Sequence, residues 1–479
     1  MRWLRSSLLA FAACTRAHEA PPAPAPTPAP APAPAPGLAL REDAGAPPVI
    51  QALAIDGPGP AAPETSGARF GVRWRVTLSG DTQIMHDASY TSTVIGDEVL
   101  TSRPGFGGDV FDRATGAKRR TIRDDLRWEF EAGGVLVAKT ATEVVGLGKD
   151  RVTPIWRLPL SQAFMPLGAW ILEEPDLRLR RPADGKIVWE LGVRRDHSAL
   201  SKEVLVGDTL YIQLEHNELA AIDIATGKIR WRKPGTLRDA SAGHVVISPP
   251  SSYQAIQVLD PAGRERLHAE AVTYVLLHGD IAYVTTPAAL TAIDLSTNTV
   301  KWRRAGANAY AVSDAWLYSW SDAEPMTVLA RDTGALAGRV PIGRLQWPLR
   351  LTNDEPVVEL GERWLLGLGA LAAPEPTAIR DARGCLVVQG CSKGVPAVGS
   401  TVKLAGVTAK TDQRGCFSVR TRLGLAPVSV AVSGGKMAGM DLQLENPFPG
   451  AVVFDGPPLT LVGGYIGGGC HDSRPGTFP

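Results

Sequence analysis

The sequence predicts an all-β chain: a β-propeller of eight four-stranded blades, with seven as the alternative count, followed by a small β-sandwich. Three observations predict it. A short segment recurs along the middle of the chain, tryptophans recur with it, and the last hundred residues switch to a cysteine-bearing alternation of their own.

The recurrence is the strongest signal, and fixed-period self-similarity marks repeat folds. Residues Ala221 to Trp231 (AIDIATGKIRW) align without a gap on Ala292 to Trp302 (AIDLSTNTVKW). Arg181 to Trp189 repeats the second half; Val110 to Gly116 and Val328 to Gly334 repeat the first. Val258 to Gly263 is another copy, and a degraded one runs from Val144 to Trp156. The turn residue is Gly116, Gly185, Gly227, Gly263, Asn298 and Gly334, and the steps after Gly185 are 42, 36, 35 and 36 residues. Glycine is the residue that populates φ > 0 at no steric cost, and asparagine is the best substitute. Each copy therefore reads as a strand ending in Asp223 or Asp294, a left-handed turn at Gly227 or its equivalent, and a strand carrying tryptophan. Upstream lie hairpins with Gly-Asp turns, as in Val204 to Ile212 and Tyr274 to Val284. Four short strands in about 40 residues make one blade. The outer-strand positions fall near Trp74, Arg119, Trp156, Trp189, Trp231, Arg266, Trp302 and Arg339. Trp74 has no strands of its own before it, so it completes a last blade begun near Trp347 to Leu368, which removes two open edges. Gly367-Leu-Gly369 reads as a turn or strand end.

The apolar-Asp-x-x-Thr-Gly-x-x-x-Trp segment at 222–231 and 293–302 resembles the pyrroloquinoline-quinone-like repeat family. The resemblance covers about residues 67–372 and implies that Trp74, Trp156, Trp189, Trp231 and Trp302 pack between neighbouring blades.

The N-terminus reads as an address. Arg2 and Arg5 precede a short apolar stretch ending at Ala12-Ala13-Cys14, the order of a secretory signal. Residues 1–14 resemble a bacterial lipoprotein signal, which implies lipidation of Cys14; Phe11 stands where that family has Leu. Residues 15–66 are rich in proline and alanine and are expected to form a disordered, extended spacer. The C-terminal part alternates with period two between glycine turns over 384–446. Its Thr411-Asp-Gln-Arg-Gly-Cys-Phe417 segment resembles the carboxypeptidase regulatory-like family, a transthyretin-like sandwich without catalysis. Cys385, Cys391, Cys416 and Cys470 are disulfide candidates with three open connectivities. Residues 447–479 read as a Gly/Pro-rich tail.

Composition excludes some functions. A net charge of +1 gives no footprint for nucleic acid. No catalytic motif and no metal-ligand spacing stands out, so no catalytic, cofactor-binding or metal residue is assigned, and no cofactor. The quinone-dependent dehydrogenase reading implied by the family name is the weakest: those enzymes pair calcium with a vicinal cysteine pair or tryptophan stacking, and this middle has no cysteine. The expectation is a monomeric, non-catalytic, exported protein in the outer membrane or periplasm, or secreted. It is held to a membrane by a lipid and binds an envelope protein or a glycan. The layout resembles propeller lipoproteins of outer-membrane protein assembly; adhesion to carbohydrate or peptidoglycan is the alternative.

Overall fold

In the computed structural model, residues 50–463 are described apart from internal segments, the longest being 78–90, 341–353 and 442–458. Among the described residues of 70–370, eight antiparallel sheets follow one another. Seven have four strands in sequence order, spanning 91–122 (blade 1), 127–159 (blade 2), 163–190 (blade 3), 203–234 (blade 4), 236–269 (blade 5), 274–305 (blade 6) and 311–340 (blade 7). The eighth joins Val357–Leu360 and Trp364–Ala370 to Phe70–Thr77, the first long strand of the chain. Trp74 thus closes a blade started at the other end of the propeller.

The core lies between blades. One apolar cluster joins blades 1 and 2 (Leu100, Val110, Leu136, Val145), another joins 7 and 8 (Tyr318, Val328, Phe70, Leu366), and Trp74, Val99, Phe111 and Leu365 join 8 back to 1. Strands buried on both faces explain the near-continuous apolar runs, such as the fully buried Thr209–Leu214.

One interaction recurs at five junctions. The six turn residues expected from the sequence have φ of +52 to +80°, so all six are left-handed. A second constraint acts on the glycines: a Cβ on Gly116, Gly185, Gly227, Gly263 or Gly334 would lie 2.5–3.1 Å from the indole of Trp74, Trp156, Trp189, Trp231 or Trp302, the tryptophan of the preceding blade. Each indole Nε1 also donates to a carbonyl in that same turn, at Arg113, Pro182, Ile224, Pro261 and Arg331, over 2.5–3.1 Å. Four of these tryptophans are buried and Trp231 is half-buried. Beneath the ring sits a small cross-strand partner: Gly367, Gly146, Ala221 and Ala292 face Trp74, Trp156, Trp231 and Trp302, and only Trp189 faces a larger residue, Leu179. Gly367 is therefore mid-strand and not a turn, because a Cβ there would lie 2.0 Å from the Trp74 ring.

The strand register corrects the three outer-strand positions without tryptophan. A bulge in each outer strand places Arg120, Leu267 and Gly338, not Arg119, Arg266 and Arg339, opposite Val110, Val258 and Val328. Arg119 is the residue the bulge leaves out of register, and it reaches back to the turn carboxylates Asp97 and Asp112.

The expected spacer also ends earlier than Ser66. Residues 50–66 form an ordered strap along the outer edges of blades 5, 6 and 7. Gln51–Ala52 pairs parallel with the outer strand of blade 5. Parallel bridges follow from Ala61 to Arg303 of blade 6 and from Thr65 to Leu336 of blade 7. Leu53 and Ile55 sink into the core between blades 5 and 6. Local composition hid this, because edge pairing needs only backbone groups and Pro/Gly-rich chain can supply them at alternate positions.

The sandwich begins at Ala378 and not Gly384, with the strand Ala378–Gln389 paired to Cys416–Leu423. Thr401–Leu404, Val407–Lys410 and Val430–Ser433 form a second sheet. Phe417 is buried, as expected of a core residue. Part of the presumed tail, Leu459–Gly463, is a strand pairing parallel with Ala378–Gln389.

The double constraint on the turn glycines is measurable. Gly227→Ala is expected to lower stability by about 2 kcal/mol or more, from left-handed strain plus collision with Trp189. Gly207→Ala, also left-handed but with open space around the new methyl, should cost about 1 kcal/mol. Denaturant unfolding of the two variants checks the difference. Deleting residues 50–66 should lower Tm and produce concentration-dependent association, read by light scattering, because three outer edges lose their cover.

Candidate binding surfaces

The two ends of the ring differ in chemistry. One end carries the Asp turns and the inner hairpins. There Asp223 Oδ1 accepts hydrogen bonds from the Thr226 backbone N–H (2.9 Å) and hydroxyl (2.8 Å). Its other oxygen meets Arg230, which also reaches Asp208 in the hairpin turn. Asp112, Thr115, Arg119 and Asp97 repeat this set in blade 1. In blade 6, Asp294 accepts from Ser296 and Thr297. His244 contacts Asp280 and His278 contacts Asp314, each linking one hairpin to the next blade. The sequence-assigned Asp223, Asp294 and Gly227 are all brought together at this end, in a structural role: their polar groups are consumed within the turns.

The turn carboxylates respond to these partners. The Thr115 hydroxyl and Arg119 hold Asp112 down at about 2, and Arg230 and Thr226 hold Asp223 at about 2. Thr153 does the same for Asp150 in the degraded copy. A depressed carboxylate pKa stabilises the fold above its unfolded value of 3.8, and the contribution disappears as pH falls through the folded value. Acid unfolding is therefore expected to steepen between about pH 4 and pH 2. Asp223→Asn should flatten that fall while lowering stability at pH 7, as followed by circular dichroism across a pH series.

The opposite end is built of the loops between blades and between second and third strands. It presents tyrosines. Tyr274 begins the inner strand of blade 6, and its ring lies 5.7 Å from that of Tyr310, which precedes the inner strand of blade 7. Tyr253, in a loop of blade 5, stacks on the guanidinium of Arg238 at 4.3 Å, and Arg238 donates to the Thr273 carbonyl next to Tyr274. The three tyrosines are 37–50% exposed, so a row of tyrosines, bridged between blades 5 and 6 by Arg238, crosses blades 5, 6 and 7. The sequence singled out none of these tyrosines. The only available signal was an aromatic residue at the start of an inner strand, where the neighbouring blade does not cover it.

The junction between blades 1 and 2 is different again. Arg120 occupies the tryptophan position, and Arg151 is the left-handed residue of the facing turn. Between them Glu98, with its side chain 8% exposed, takes ion pairs from Arg119, Arg120 and Arg151. A cavity of about 100 Å³ remains there, lined by Leu100, Arg120, Ile122, Leu126, Arg151 and Val152.

No cluster of three or more metal-ligating side chains occurs among the described residues. Cys385 and Cys416 form a disulfide between directly paired strands. Cys14, Cys391 and Cys470 lie outside the described residues.

A family model described as outer membrane protein assembly factor BamB matches residues 109–304. No curated protein matches. Among solved structures, BamB from Moraxella catarrhalis is 13% identical, covering 61% of this chain and 99% of its own, at a TM-score of 0.43. Sqt1 from Saccharomyces cerevisiae is 8% identical over 64% of this chain and all of its own (TM-score 0.44), and the Neurospora crassa Pan2 WD40 domain 12% identical over 64% and 97% (TM-score 0.37). The recurring turn and the sheet order make the middle of the chain a β-propeller, and residues 109–304 within it are similar to that family model.

Proposed function

We propose that this chain is a non-catalytic, eight-bladed scaffold of the bacterial envelope, lipidated at Cys14, that binds another envelope protein through the propeller. The observation that carries the reading is the family match over residues 109–304, since that model is described as an outer-membrane assembly factor. The surface supports it. One end of the ring has its charges paired within turns, and the other presents a tyrosine row on a rigid frame. Aromatic rings exposed on rigid structure bury large area at small entropic cost, which suits a protein interface. Loops on such a frame are where recognition concentrates. The sandwich at 378–463 is read as an accessory module of the carboxypeptidase regulatory-like kind.

Photo-crosslinking in envelope membranes tests the reading. A benzophenone side chain placed at Tyr274 or Tyr310 should give a discrete protein adduct, identified by mass spectrometry, while one at Thr226 on the turn end should not. Retention of peptidoglycan or other glycan in place of a protein adduct would move the function to adhesion.

A further inference from the structure

Outer strands of a propeller leave their last backbone edge unpaired, and such edges recruit other strands unless they are blocked. In this molecule almost every outer edge is blocked by a recognisable device. The strap covers blades 5, 6 and 7. The outer strand of blade 1, Lys118–Ile122, opens with three consecutive basic residues. That of blade 2, Pro154–Pro159, has proline at both ends. That of blade 4, Ile229–Pro234, carries Arg230, Arg232 and Lys233 before its terminal proline. That of blade 8, Phe70–Thr77, carries Arg73 and Arg75. The outer strand of blade 3, Ile187–Glu190, has neither proline nor a basic residue. Nothing among the described residues pairs with its outer edge. It exposes two adjacent apolar side chains, Ile187 at 46% and Val188 at 39%, and Val152, Ile155 and Leu160 of neighbouring blade 2 are exposed as well.

The strap shows which backbone groups an added strand uses. In blade 6 they belong to Arg303, whose N–H donates to Pro60 and whose carbonyl accepts from Ala62. In blade 7 they belong to Leu336, whose N–H donates to Glu64 and whose carbonyl accepts from Ser66. Arg303 is one residue after the tryptophan position and Leu336 two before it. The same register in blade 3 gives Glu190 and Ile187, since Trp189 faces Leu179 and Ile187 faces Arg180.

We propose that the outer strand Ile187–Glu190 is a strand-addition site for an extended segment of a partner protein. The segment runs parallel, bonds the backbone of Ile187 and Glu190, and lays an apolar side chain against Ile187 and Val188. This deepens the scaffold reading and rests on it: strand addition takes affinity from main-chain bonds and selectivity from alternate side chains, which suits an unfolded or β-rich envelope client. The second of those properties makes an apolar-alternating strand the expected partner, because a charged one would leave its charge against Ile187 and Val188.

The probe is a lysine-flanked peptide of four Val-Thr repeats, titrated into the full chain and followed by amide hydrogen exchange. The decisive variant is Ile187→Pro. It removes the outward donor, and blade 2 carries Pro154 at the equivalent register, so the fold has a precedent for it. Wild type should show slowed exchange at Glu190 on peptide addition, and Ile187→Pro should bind at least tenfold more weakly with Tm unchanged. Should that variant unfold, Val188→Lys replaces it with the same expectation. Unaltered exchange at Glu190, or equal affinity in the variant, would overturn the proposal, as would a self-dimer in wild type that Ile187→Pro dissolves. If the peptide fails while adducts at Tyr274 persist, the edge site falls and the scaffold stands.

Discussion

The ring depends on one contact, an indole laid over a glycine of the next blade. The contact needs two things at once. The turn must pass through φ > 0 and the turn residue must lack a Cβ; at four of the five junctions a glycine or alanine also lies beneath the tryptophan, and Trp189 has Leu179 there. The indole N–H then finds a carbonyl in the same turn, so burial of the large ring leaves no polar group unsatisfied. Burying such a ring is worth several kcal/mol, and truncating it costs about 3–5 kcal/mol. Five repetitions fix the spacing and tilt of the blades, and the loops at the far end inherit that rigidity.

Three junctions lack the tryptophan, and each is closed by another means. Between blades 1 and 2, Glu98 gathers three arginines. Between blades 5 and 6, the strap inserts Leu53 and Ile55, and Asn298 bonds its backbone at Ala52 and Ala54. Between blades 7 and 8, Gly338 admits the Phe70 backbone where a Cβ would lie 2.2 Å from its carbonyl oxygen. The substitutions are coupled. Where the outer strand loses tryptophan, its cross-strand partner becomes valine, and the facing turn, where the next blade has one, loses glycine. A turn glycine without an indole to receive has only its φ to justify it, and asparagine or even arginine then suffices.

That coupling explains what the sequence revealed. The left-handed turns, the tryptophans and the closure by Trp74 were legible because each is carried by a local, repeated segment. The strap was hard to read: residues 57–63 keep the Pro/Gly/Ala bias of the segment before them, the apolar Ile50, Leu53 and Ile55 break it, and the strap's pairing is with edge strands more than two hundred residues away. The tyrosine row was hidden for a related reason, since Tyr253, Tyr274 and Tyr310 meet only when three blades are assembled. The positions Arg119, Arg266 and Arg339 departed from the repeat's own spacing: four residues after Gly116, Gly263 and Gly334 lie Arg120, Leu267 and Gly338, which the strand register confirms. Yet the loss of glycine at Asn298 following the loss of tryptophan in blade 5 was present in the sequence, and it marks the junction that the strap fills.

A double-mutant cycle on Trp189 and Gly227 measures the central contact most directly. Strong coupling is expected: once Trp189 is alanine, the collision at residue 227 is gone, and Gly227→Ala should cost only the left-handed strain, about 1 kcal/mol. Strict additivity of the two substitutions, with Gly227→Ala equally damaging in both backgrounds, would contradict it and reduce the glycine to an ordinary turn residue.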